Sequence, residues 1–152
     1  MRQGLQLLAD KQALSLPCWM SLLIDTYWRT GQGAEGLALV EEALGLVNRT
    51  EERYYEAELH RLQGELLLQR SPHEPSAGEV AFAKALEVAR EQEAKSLELR
   101  AAMSLARLWR QQGKTPEARA LLAPVYEWFT EGFATADLQD AKALLSALTG
   151  EK

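Results

Sequence analysis

With 152 residues, 47% of them apolar and 26% charged, the chain has the make-up of one folded domain rather than a disordered segment. A net charge of −5 argues against a nucleic-acid or anionic-membrane surface, and no apolar run approaches the length of a bilayer span. A lone cysteine, Cys18, excludes an internal disulfide and fits a reducing, cytoplasmic setting.

The first segment, Met1–Leu14, lacks the continuous apolar stretch and cleavage site of a signal peptide. Its Leu5, Leu7, Leu8 and Leu14 fall at helical rather than alternating spacing. From there on, apolar residues recur every three or four positions, as in Leu59, Leu62, Leu66 and in Ala81, Phe82, Ala85, Leu86, Val88, Ala89. Turn residues punctuate the pattern at 31–33, 48–50, 70–79, 113–116 and 132–135. The spacing predicts an all-α chain organised as a partial helix at 1–14, helical hairpins at 16–48, 52–94 and 96–132, and a capping helix at 135–149. Ser76 followed by Glu79 has the spacing of a capping box. Thr115–Pro116 suits a helix start, and Pro124 is expected to bend the helix that contains it. Thr135 is placed to cap a last helix whose Leu138, Ala141, Leu144, Leu145 and Leu148 turn inward, with Gln139, Asp140 and Lys142 outward.

Two stretches, "GQGAEGLALVEEAL" and "GKTPEARALLAPVY", carry glycine, glutamate and apolar residues in the same places. Small residues Gly36, Gly78 and Ala118 are each followed four positions later by a large one, Val40, Phe82 and Leu122, and then by Ala43, Ala85 and Val125. The intervals between units are 78 − 36 = 42 and 118 − 78 = 40 residues. Upstream, Tyr27, Leu67 and Trp109 take a matching large-apolar position. A small residue lets two helices approach, and the large one fills the groove that results. A period of this size predicts stacked helical hairpins, each burying a face that its neighbour supplies.

This small–large–small pattern resembles the tetratricopeptide repeat in a lengthened form. That resemblance implies a right-handed α–α superhelix, a solenoid of about three hairpins with a C-terminal cap. "ERYYEAELHRLQGELLLQR", "AKSLELRAAMSLARLWRQQGK" and "LLAPVYEWFTEGFATADLQDAKALLSAL" resemble the C-terminal repeat region of large bacterial signalling proteins. In that family a class III nucleotide cyclase or a DNA-binding domain precedes a STAND-type ATPase. Neither the GxxxxGK[ST] phosphate loop nor a cyclase carboxylate pair occurs here, so the resemblance implies a regulatory, non-enzymatic end without cofactor or metal. Its partner would be a protein or peptide, a neighbouring ATPase or cyclase domain among the options. Within such a stack, 1–14 reads as the second helix of a repeat whose first helix is missing. The uncovered face predicts a truncated start and a homodimer formed through Leu5 and Leu8.

If the alignment holds, the first helix of each hairpin lines the concave face. Its inward positions are Ser21, Asp25, Trp28 and Arg29, then Glu58, Arg61, Glu65 and Gln69, then Arg100, Met103, Arg107 and Arg110. Guanidinium groups on one helix face can grip carboxylates or phosphates bidentately, with Trp28 as an apolar anchor at the other end. A small anionic effector near Arg100, Arg107 and Arg110 is the second expectation. Against both stands the ordinary fate of helix-borne arginines, which is solvation or pairing with Glu58, Glu65 or Glu98. Ser21 and Asp25 stand where chaperone-binding tetratricopeptide domains carry a lysine/asparagine clamp, which argues against that role.

Other chemistry is weaker. His60 and His73 lack convergent partners for a metal. Glu58 and Glu65 share a helix face, but acid–base work needs a cleft and shifted acidities. Cys18 has no histidine at an informative spacing for a nucleophile. Trp128, Phe129 and Phe133 have acidic rather than basic neighbours, so they are expected to fill the joint before the cap helix rather than to stack bases.

Overall fold

The computed structural model describes residues 16–50, 53 and 55–150, apart from the side chains at 16–18 and 50. The 1–14 helix, Leu5 and Leu8 with it, and the Cys18 side chain lie outside the described residues. What is described is all-helical: α1 (Leu16–Arg29), α2 (Gly33–Thr50), α3 (Glu56–Arg70), α4 (Ser76–Glu91), α5 (Lys95–Gln111), α6 (Thr115–Glu127) and α7 (Ala136–Leu148). Short connections fold each helix back on the one before it, and every consecutive pair is in contact. The odd-numbered helices also touch in series, α1 to α3, α3 to α5 and α5 to α7. Even-numbered helices do not touch one another. The odd row is therefore the crowded side of the stack and the even row the splayed one.

Two of the hairpin turns are built alike. After α1 the Gln32 amide donates to the Tyr27 carbonyl at 2.8 Å, and after α5 the Lys114 amide donates to the Trp109 carbonyl at 2.8 Å. This six-to-one closure needs a left-handed residue in between, and Gly31 (φ 78°) and Gly113 (φ 80°) supply it without steric cost. Thus the Tyr27–Gly31 and Trp109–Gly113 spacing seen in the sequence corresponds to one recurring helix ending.

Packing follows the small–large–small positions. Val40, Phe82 and Leu122 are wholly buried, as are Ala43, Ala85 and Ala118. An apolar cluster of α1, α2 and α3, around Ile24, Val40, Leu62 and Leu66, meets a larger one around Phe82, Leu99, Leu122 and Leu138. The join is the α3–α4 crossing, where Gly64 faces Gly78. A β-carbon on Gly64 would lie 2.5 Å from the Phe82 ring and 3.0 Å from the Gly78 carbonyl oxygen. One on Gly78 would meet Leu68 at 2.8 Å and the Gly64 carbonyl at 3.1 Å. Gly78 was marked by the repeat, whereas Gly64 was not. Its sequence neighbours are those of an ordinary amphipathic helix.

Three local expectations fare differently. Thr135 caps α7, its hydroxyl accepting from the Leu138 amide at 3.5 Å. The Ser76 capping box does not form: Pro75 occupies the cap position, without a side-chain hydrogen bond. Glu79 instead accepts a hydrogen bond from the Trp109 indole, tying α4 to α5. The carboxylate has been drawn away from its own helix end to satisfy a half-buried N–H that needs a partner. Nor do the three aromatics all fill the last joint. Phe129 packs on the core, but Trp128 is 56% and Phe133 46% exposed.

Gly64→Ala should destabilise the protein although alanine is the better helix former. Overpacking of about 1–3 kcal/mol outweighs a propensity gain of up to about 1 kcal/mol. Gly45→Ala is the control, since its β-carbon would meet only the Arg49 side chain, at an ordinary 3.6 Å. Thermal melts should show the first variant lower by a few degrees and the second unchanged or higher.

Candidate interaction groove

The odd row of helices frames an open groove of about 710 Å³. From α1 it takes Ser21, Leu22, Asp25, Trp28 and Arg29, and from α3 Glu58, Arg61 and Glu65, with Tyr55 just before that helix. Arg100, Met103 and Arg107 of α5 and Asp137 and Asp140 of α7 complete it. Helical periodicity brings these side chains to one face. Ser21, Asp25 and Trp28 are three or four residues apart, as are Glu58, Arg61 and Glu65, and Arg100, Met103 and Arg107.

The floor is an ion network. Glu58, only 6% exposed, accepts from Arg61 through both carboxylate oxygens, Nε to Oε1 and Nη2 to Oε2, each at 2.8 Å. Its Oε2 also accepts from Arg100 Nη1 at 3.0 Å. Arg100 donates through Nε to Asp137 Oδ2 at 2.8 Å, so one chain of charge joins α3, α5 and α7. Arg61 also reaches the buried Ser104 hydroxyl at 3.4 Å and lies 4.0 Å from Glu65. Burial works against the charge on Arg61, yet the Glu58 hydrogen bonds and the nearby carboxylates outweigh it and hold the pKa above its ordinary value. For Arg100 the opposing burial is likewise outweighed, by Asp137 and Glu58.

The walls differ. On α1, Arg29 pairs with Asp25 at 2.6 Å and lies 5.6 Å from the centre of the Trp28 ring. The Trp28 carbonyl accepts from Gln69 Nε2 at 2.8 Å, which places Gln69 as a strut between α1 and α3 rather than in the groove. Leu22, 58% exposed, and the half-buried Trp28 are the apolar side chains that α1 gives to the groove. On α5, Arg107 is exposed and, among the described residues, has neither ion-pair nor hydrogen-bond partner.

The three arginines therefore do not form one grip. Arg100 is committed to two carboxylates, and Arg110 does not line the groove. Ten residues of helix turn Arg110 roughly 80° away from Arg100, whereas seven bring Arg107 back to nearly the same face. Asp137 and Asp140 went unassigned as groove residues, and Asp140 was placed outward. Their three-residue spacing, opposite an arginine that needs a carboxylate, is the signal that could have found them. Elsewhere, His73 is exposed, and burial lowers the pKa of His60 despite its hydrogen bond to Gln63 and the Glu56 carboxylate. No group of three or more potential metal ligands converges among the described residues, and none of their helices is long and apolar enough to cross a membrane.

No family model, no curated protein and no solved structure matches this chain.

Removing the Glu58 charge should be costly. Glu58→Gln leaves two guanidinium groups without their shared anion and should destabilise by about 2–4 kcal/mol in urea denaturation. Asp137→Asn, at the wetter end of the network, should lose under about 1 kcal/mol. A second prediction concerns acid. His60 has a folded-state pKa below the 6.5 of its ordinary state, so the unfolded chain takes up its proton first. The His60 contribution to stability is full above pH 6.5 and is lost as pH falls through that value toward the folded-state pKa. Melts of His60→Gln between pH 7.5 and 5 should show a shallower decline than the parent.

Proposed function

We propose that this chain is a non-enzymatic interaction module, a right-handed superhelix of tetratricopeptide-like hairpins that holds a peptide or a partner's helix in the groove along α1, α3 and α5. One observation carries this reading. The positions that the repeat alignment assigns inward fall, but for Gln69 and Arg110, along one open groove whose floor charges already satisfy one another. A floor whose ions are paired in advance does not need new partners when a peptide covers it. Rigid stacked helices keep the ordering cost on the partner's side. The handles are the exposed Leu22, the half-buried Trp28 and the exposed Arg107 guanidinium. A partner segment with an apolar anchor and a carboxylate would meet them.

The resemblance to the repeat region of cyclase and STAND-type ATPase proteins supports a regulatory place in bacterial cytoplasmic signalling, with a neighbouring domain as the partner. Self-association through Leu5 and Leu8 belongs to the same proposal. Light scattering tests it, since Leu5→Glu should convert a dimer to a monomer. Hydrolase chemistry is disfavoured because Glu58 spends its oxygens on guanidinium donors. A small-anion sensor finds one uncommitted guanidinium in the groove where three were expected.

Selection of random twelve-residue peptides on the folded protein tests the groove. Enriched sequences should pair an acidic residue with Leu, Phe or Trp. Binding should fall about tenfold in Trp28→Ala and in Arg107→Glu, a loss of about 1.4 kcal/mol each. Selection that enriches nothing, or peptides indifferent to both variants, refutes the groove. Millimolar phosphate, citrate or nucleotides should leave the melting temperature unchanged, whereas a rise lost in Arg107→Glu would restore the sensor.

A further inference from the structure

A second hollow, of about 430 Å³, lies at the end of the stack where the α6–α7 connection crosses the start of α5. Its walls are Leu99, Trp128, Phe129 and Leu138, and its rim carries Glu131 and Asp137. No lysine or arginine lines it. Trp128 and Phe129 stand edge to face, their ring centres 5.2 Å apart and their planes at 86°. An exposed tryptophan on the wall of a cavity is unusual for a side chain that gains so much from burial. The Trp128 ring already accepts a cation. Lys95 Nζ sits 5.4 Å from its centre, held there by Glu98 at 3.2 Å. Lys95 lines a different hollow, shared with Pro124 and Val125, so Trp128 is a partition between the two. Asp137 spends one oxygen on Arg100, while Glu131 stands exposed at the connection.

We propose that this cavity receives an arginine or lysine side chain of a partner polypeptide. Its stem would lie against Leu99, Phe129 and Leu138, and its charge would lie between the Trp128 ring and the Glu131 carboxylate. Aromatic walls with an acidic rim match the two halves of such a side chain, an apolar stem and a cationic head. A carboxylate would meet the Glu131 charge there and no lining lysine or arginine, since Asp137 is already paired with Arg100. The hollow shares Asp137 with the groove along α1, α3 and α5, but Trp128, Phe129 and Glu131 belong to it and not to the groove. Its cationic preference is also opposite to that of Arg107, so the two can fail independently.

Acetyl-Leu-Arg-amide, acetyl-Leu-Gln-amide, acetyl-Leu-Glu-amide and agmatine are the probes, titrated into the full chain and followed by the Trp128 indole and the 129–138 amides in heteronuclear NMR. The arginine peptide should bind at least about fivefold more tightly than the glutamine peptide, and the glutamate peptide should give no saturable shift. Glu131→Gln, which preserves shape, should bring the arginine and glutamine peptides closer together, and Trp128→Ala should abolish both. Equal affinity of the arginine and glutamine peptides in the parent would reduce the site to an apolar dimple and overturn the proposal. Agmatine binding as well as the arginine peptide would assign the cavity to a free small cation and overturn docking of a polypeptide. Absence of shifts from every probe overturns it outright.

Discussion

The Glu58 carboxylate sets the spacing of the inner row of helices. It is nearly buried, and it accepts a two-point fork from Arg61 on its own helix and a third bond from Arg100 on α5. Arg100 then reaches Asp137 on α7. Carboxylate and guanidinium can meet only at hydrogen-bond distance, so this chain of contacts fixes how closely α3, α5 and α7 approach on the side where their polar faces converge. Apolar packing on the other side tolerates small slides, whereas a charge left at the wrong distance in a half-dry setting does not. Well-packed apolar residues in place of such a network are often neutral or stabilising. Its value lies in register and in giving the groove a floor that is polar yet already satisfied.

The opposite requirement operates at the α3–α4 crossing. There the constraint is the absence of atoms: Gly64 and Gly78 each leave room that a methyl group would fill. Close approach at this point lets Phe82 seat fully and joins the two main apolar clusters. Fixed charge contacts along the inner row and a bare backbone crossing behind it together decide which side chains reach the groove.

Much of this was legible in the sequence. Helices, turns and the small–large–small positions follow from periodicity, because burying one helix face leaves a repeating mark. The Gly31 and Gly113 endings were readable for the same reason, as a left-handed residue must sit at a fixed offset from the last turn. Harder to see were events between helices distant in the chain. Glu79 has the spacing of a cap, and nothing local says that the Trp109 indole, thirty residues on, will claim it. Gly64 likewise acquires its meaning only opposite Gly78. Arg100 and Arg107 look equivalent in sequence, yet one is spent on Glu58 and Asp137 while the other faces the open groove.

That last contrast bears on what a helical groove of this kind can select. A row of arginines does not by itself define an anion site, because each guanidinium must first be counted against the carboxylates the fold brings to it. Here only Arg107 among the groove's four guanidinium groups has no carboxylate of its own, although its five carboxylates outnumber them, and beside α7 lies an acidic, aromatic hollow that already tolerates a lysine on one face of its tryptophan. Both surfaces offer one charge and one apolar contact, with opposite signs of charge. Neither is strong alone, since a single exposed ion pair contributes little. A partner that engaged both would need an acidic and a basic handle at a set separation, and the second contact would form at high effective concentration once the first was made. On the proposed reading, rigid helices that fix that separation would convert two weak contacts into a measured distance, a discrimination that charge alone does not provide.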